Sequence, residues 1–91
     1  MREINYTARF KKDIKVIKKQ SFYDKKLLED IIKKLANDTP LEEKYRDHAL
    51  QGKYEGSREC HIKPDWLLIY VKSENRLTLS LSRTGTHSDL F

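Results

Sequence analysis

Cysteine is nearly absent from this sequence, and that scarcity removes several classes of protein. Cys60 stands alone, so it can neither close an internal disulfide nor anchor a multi-cysteine metal site. Only three glycines occur, with no phosphate-cradling loop among them and no GxSxG nucleophile elbow. No apolar run approaches the roughly 20 residues of a membrane span. Met1-Arg2-Glu3-Ile4 lacks the apolar core and cleavage site of a secretory signal. We therefore expect a cytoplasmic protein with no membrane partner. The three histidines, His48, His61 and His87, are too dispersed for a helical metal-binding pair, so no metal and no other cofactor is expected.

Acidic residues are scarce in one place. Between Arg9 and Lys19 the basic residues are Arg9, Lys11, Lys12, Lys15, Lys18 and Lys19, against Asp13 alone. That segment accounts for the chain's net charge of +5, and a localised basic surface suits a polyanion such as RNA. A merely solvated helix face would read the same way.

What is present describes one domain, residues 1–91, with 37% apolar and 36% charged residues: a thin core under a charged surface. Glu3–Tyr6 alternates like a short strand. Thr7 is placed to cap a helix over 8–19, with Phe10, Ile14 and Ile17 as its stripe. Ser21-Phe22-Tyr23-Asp24 resembles a capping box opening a second helix, striped by Leu27, Leu28, Ile31, Ile32 and Leu35 and stopped before Pro40. Residues 41–57 read as irregular. Three strands follow, over 58–63, 66–71 and about 77–82, with the middle one apolar on both faces. The order β-α-α-β-β-β predicts an α+β two-layer sandwich, a helical hairpin on one face of a small, mostly antiparallel sheet. Arg83 shares the parity of Leu77, Leu79 and Leu81, so an unbroken strand would bury it. A bulge near Ser82, or a strand end there, is expected instead.

Chemistry-bearing residues collect at the strand ends. His61, Asp65 and Trp66 flank the turn into the middle strand, Arg83 and His87 follow the last, and His48 lies upstream. Metal-free RNA cleavage needs a base for the 2′-OH, an acid for the departing 5′-oxygen and a cation for the phosphorane. Histidines titrate near neutral pH, arginine supplies fixed charge, and aromatic rings stack on bases. Cys60, on a face with Ile62, reads as a core residue.

Three blocks are more specific than any single residue. They are Lys44-Tyr45-Arg46-Asp47-His48-Ala49-Leu50-Gln51-Gly52, His61-Ile62-Lys63-Pro64-Asp65-Trp66-Leu67-Leu68-Ile69-Tyr70, and Arg83-Thr84-Gly85-Thr86-His87-Ser88-Asp89-Leu90-Phe91. With them the chain resembles the RelE/ParE superfamily of bacterial type II toxins, and within it the YafQ branch, over nearly its whole length. The resemblance implies a RelE-like fold and an mRNA interferase that enters the ribosomal A site and cuts mRNA. A cognate antitoxin would neutralise it. It implies attack by the 2′-OH and a site of His48, His61, Asp65, His87 and Phe91, with Trp66 and Arg83 close by. Within that frame His87, in a flexible tail, is read as the acid and His48 or His61 as the base. Asp65 would orient an imidazole, Arg83 would stabilise the phosphorane and Phe91 would position a base. Trp66 is divided between packing and base contact. Lys11, Lys12, Lys15, Lys18 and Lys19 would bind ribosomal RNA. The rival reading is a non-enzymatic binding module, such as a ParE-like inhibitor of DNA gyrase on the same fold.

Overall fold

Thr7 starts the first helix, its hydroxyl oxygen accepting the Phe10 N–H at 3.1 Å. In the computed structural model, which describes residues 1–91, helix α1 spans Ala8–Ile17 and buries Phe10 and Ile17. It stops short of the expected Lys19. Lys18, Lys19 and Gln20 offer nothing to bury, and the next packed side chain is Phe22. Helix α2, Lys25–Ala36, is capped by Asp24, whose Oδ1 accepts the Leu27 N–H at 3.0 Å. Ser21 therefore does not open it. Phe22 and Tyr23 instead lay their rings on Trp66, with centroids 5.6 and 5.5 Å away, which keeps this stretch outside the helix.

The strands are β1 (Glu3–Tyr6), β2 (His48–Ala49), β3 (Arg58–Lys63), β4 (Trp66–Ser73) and β5 (Thr78–Gly85). They form one sheet in the order β1-β5-β4-β3-β2. The pair β1–β5 is parallel and all the others are antiparallel. The meander and the helix-covered face are as the alternation implied. The two-residue β2 lies inside the stretch read as irregular.

Both helices pack on one face. Phe10, Ile17, Leu28, Ile31, Ile32 and Leu35 meet Cys60, Ile62, Trp66, Leu68, Tyr70, Leu79 and Leu81 in a single cluster. Each large apolar side chain fully buried there contributes about 1.5–3 kcal/mol. Burial drives the Cys60 thiol well above its ordinary range, so it stays an inert core group.

The opposite face carries a smaller cluster in which Leu67 and Ile69 lie beneath Leu90. Leu90 belongs to α3, His87–Leu90, one helical turn. Thr86 and Asp89 form a reciprocal capping box, Thr86 N–H to Asp89 Oδ2 at 3.1 Å and Asp89 N–H to Thr86 Oγ1 at 3.3 Å. A Cβ on Gly85 would lie 3.0 Å from Asp89 Oδ2, so glycine lets this turn close. The segment expected to be a flexible tail is thus folded and latched by Leu90.

The register of β4 against β5 runs Ile69↔Arg83 and then Tyr70↔Leu81. Ser82 is passed over. This is the bulge that the parity of Arg83 required, and it turns that side chain away from the helix-facing core.

Candidate active site

Strand pairing assembles the site on the face away from α1 and α2. Cys60 and Ile62 point into the main core, so Glu59 and His61 point outward. His48 is the direct cross-strand partner of Glu59. The turn between β3 and β4 supplies Asp65, and α3 carries His87 over the same surface.

The rings form a row. Centroids of His48 and His61 are 6.3 Å apart, those of His61 and His87 5.6 Å, and those of His87 and Phe91 6.3 Å. Tyr54 closes the row edge-on against Phe91 at 5.4 Å, and its hydroxyl donates to the Leu90 carbonyl at 3.1 Å. Tyr54 thereby ties α3 to the sheet.

All three imidazoles are held by the same nitrogen. Nδ1 of His48 contacts the Arg46 carbonyl at 2.6 Å, Nδ1 of His61 the Pro64 carbonyl at 3.2 Å, and Nδ1 of His87 Asp65 Oδ1 at 2.8 Å. Carbonyls and carboxylates accept, so a hydrogen on Nδ1 satisfies each of these contacts; Nε2 of His87 is then left open, while Nε2 of His48 and of His61 face Glu59. Asp65 also accepts the His87 backbone N–H at 3.0 Å. That backbone contact first, and the imidazole second, hold the Asp65 carboxyl below its usual value.

Glu59 was not singled out by sequence reasoning and lies at the centre. It is only 5% exposed, and its Oε1 sits 3.3 Å from His61 Nε2 and 3.6 Å from His48 Nε2. Its Oε2 is buried without a hydrogen-bond partner in the protein. Alternation had placed Glu59 beside His61, but its pairing with His48 depends on β2, too short to show a period. No group of three His, Cys, Asp or Glu side chains is arranged to hold a metal ion.

Arg83 is partly buried and engaged by α1. Its Nε donates to Asp13 Oδ2 at 2.7 Å and its Nη2 to Oδ1 at 3.2 Å. The Asp13 carboxylate, opposed by partial burial, raises the guanidinium above its usual value, and Tyr54 adds to this from the site side.

Two expectations separate at this point. Phe91 is 61% exposed beside His87, open to a base. Of the two readings of Trp66 the structure takes packing and not base contact: the ring is fully buried on the helix side, its Nε1 donating to Thr84 Oγ1 at 2.9 Å. Lys11, Lys12, Lys15, Lys18 and Lys19 are all exposed on and just beyond α1.

Known proteins share this fold and much of this sequence. A family model described as "Bacterial toxin of type II toxin-antitoxin system, YafQ" matches residues 2–91. The mRNA interferase toxin YafQ of Escherichia coli strain K12 is 43% identical, over 99% of this chain and 96% of its own. A metal-bound toxin from Helicobacter pylori superposes with a TM-score of 0.92 at 44% identity, with both chains fully covered. The Escherichia coli DinJ-YafQ complex contains a chain similar at TM-score 0.87 and 40% identity, covering 100% of this chain and 99% of that one.

Proposed function

This chain belongs to the YafQ family of bacterial type II toxin–antitoxin toxins, and from that premise we propose that it is an mRNA interferase. It acts as an endoribonuclease on mRNA in the ribosomal A site, in the cytoplasm, and a cognate antitoxin restrains it. The row of three imidazoles, each held at Nδ1 and with Glu59 beneath two of them, carries this reading.

His48 Nε2 is the base. It stands 3.6 Å from Glu59, too far for a hydrogen bond, and the side chain is 49% exposed, so a ribose hydroxyl can reach it. His61, 12% exposed and 3.3 Å from Glu59, is better placed beneath a phosphate oxygen than as the base. His48 takes the 2′-OH proton while the 2′-oxygen bonds to phosphorus. The bond from phosphorus to the 5′-oxygen breaks, and His87, entering the step as the imidazolium with Nδ1–H on Asp65, donates its Nε2 proton to that oxygen. The products are a 2′,3′-cyclic phosphate and a 5′-hydroxyl. Glu59 offsets the positive charge that appears on His48, and Asp65 fixes the ring of His87. Arg83 faces the charge on the phosphorane, and Phe91 stacks on a base. The α1 lysines hold ribosomal RNA.

The test is primer-extension mapping of a reporter mRNA in a reconstituted translation reaction. Wild type is compared with His87→Ala, and naked mRNA is the control. The expected result is cuts in register with codons, dependent on ribosomes and absent from the mutant. A folded wild type that leaves mRNA intact but inhibits DNA gyrase would replace the reading with its rival.

A further inference from the structure

Asp13 is the lone acidic residue in the basic stretch from Arg9 to Lys19, and its side chain is only 12% exposed. It faces the sheet, unlike the lysines around it. Its carboxylate grips the Nε–Nη2 edge of Arg83 with both oxygens, and Oδ2 also accepts the Thr84 N–H at 3.1 Å. Arg9, on the solvent side, is 3.9 Å away and contributes little.

We propose that Asp13 is a positioning residue for the phosphorane-binding arginine of this site, holding the guanidinium plane so that its free edge faces the scissile phosphate. This rests on the interferase reading above.

Three observations and one physical argument support it. The bulge at Ser82 places Arg83 opposite Ile69, on the face that carries the imidazoles. A guanidinium has five N–H donors in a fixed fork. Asp13 occupies one edge of that fork, and the remaining N–H groups, on Nη1 and the outer side of Nη2, are paired with no second carboxylate and lie toward Tyr54, where phosphate oxygens can accept from them. Tyr54 lies beside Arg83 and against Phe91, so Arg83 continues the ring row and does not stand apart from it. A free arginine would lose rotamer freedom on meeting phosphate, whereas a clamped one has lost it already. Two roles are combined in α1: its outward lysines face RNA and its inward aspartate sets the arginine.

The experiment is a double-mutant cycle on the full chain, with single-turnover cleavage measured on programmed ribosomes. Asp13→Asn should lower kcat about tenfold with KM unchanged, because a misdirected catalytic group slows chemistry without weakening docking. In an Arg83→Ala background the same change should have no further effect. Loss of equal size in both backgrounds, or full activity of a folded Asp13→Asn, overturns the proposal. If Asp13→Asn melts below the assay temperature, Asp13→Glu decides, since it keeps the charge and displaces the fork. Reduced kcat at an unchanged melting temperature supports the proposal, and full activity overturns it. Absence of cleavage by wild type would instead fail the interferase reading, so the two failures are distinguishable.

Discussion

One oxygen of Asp65 receives two hydrogen bonds from His87, the backbone N–H at 3.0 Å and the imidazole Nδ1 at 2.8 Å. The carboxylate therefore fixes the start of α3 and the orientation of its ring together. Asp65→Ala should cut cleavage by about 10- to 100-fold, the range for a positioned proton-transfer group losing its orientation. Asp65 is exposed, so the melting temperature should barely move. Single-turnover cleavage beside a thermal melt checks both halves, and a large loss of stability would make Asp65 a structural residue first.

Acid should weaken the fold through two carboxylates. Asp38 accepts from Arg2 Nε at 2.8 Å and from Lys72 Nζ at 2.9 Å, and these bonds lower it to about 2. Asp65 is lowered in the same direction by His87. A carboxyl whose folded pKa lies below its unfolded value stabilises the fold above the unfolded value. That contribution is lost as pH falls through the folded value. For Asp38 the window is between about pH 4 and pH 2. Urea unfolding across this range should show stability falling with pH, and Asp38→Asn should flatten the fall. An unaltered slope in Asp38→Asn would mean that other groups dominate.

Trp66 should behave as core. Trp66→Ala should cost about 3–5 kcal/mol, as for other large aromatic truncations. Trp66→Phe loses the bond to Thr84 and should cost less, while cleavage per folded molecule stays near wild type. Denaturant titration and activity on the same samples test this. A stable Trp66→Phe protein without activity would return Trp66 to the substrate.

Salt should oppose docking through α1. Replacing Lys11, Lys15 and Lys18 together by alanine should raise the ribosome concentration needed for cleavage. It should also make the plot of log affinity against log salt shallower, by about 0.7–0.9 for each phosphate no longer neutralised. Unchanged salt dependence would remove these lysines from the RNA interface.

Chelation should leave cleavage intact. His48, His87 and Arg83 between them supply the base, the acid and the fixed charge that the reaction needs. Isolated ribosome complexes treated briefly with EDTA, at magnesium sufficient to keep them assembled, should be cut at the untreated rate. Loss of cutting that a single transition metal restored would overturn the metal-free step.

Local pattern carried much of this structure. The apolar stripes of α1 and α2 and the doubly apolar β4 were readable because burial repeats at a fixed period in each. Even the bulge at Ser82 was legible, since Arg83 in the phase of Leu81 leaves few other solutions. Short elements and distant pairings were harder. β2 has two residues and α3 four, below any detectable period, although the Thr86-x-x-Asp89 spacing did carry a cap signature. Glu59 looked like an ordinary outward strand residue until β2 set His48 beside it. Asp13 looked like an exception within a basic run until folding brought it to Arg83.

The sheet order carries a consequence for biosynthesis. The only neighbour of β1 is β5, and Glu3 pairs with Thr78 across almost the whole chain. During translation β1 has nothing to pair with until β5 has left the ribosome, and such a distant closure is slow. Arg83 lies on β5 and His87 just beyond it, so the final strand brings the arginine and the third imidazole with it. Nascent chains stalled before β5 should therefore be protease-sensitive and unable to cut RNA. A ribosome making this toxin would then hold a harmless precursor throughout the synthesis of residues 1–77.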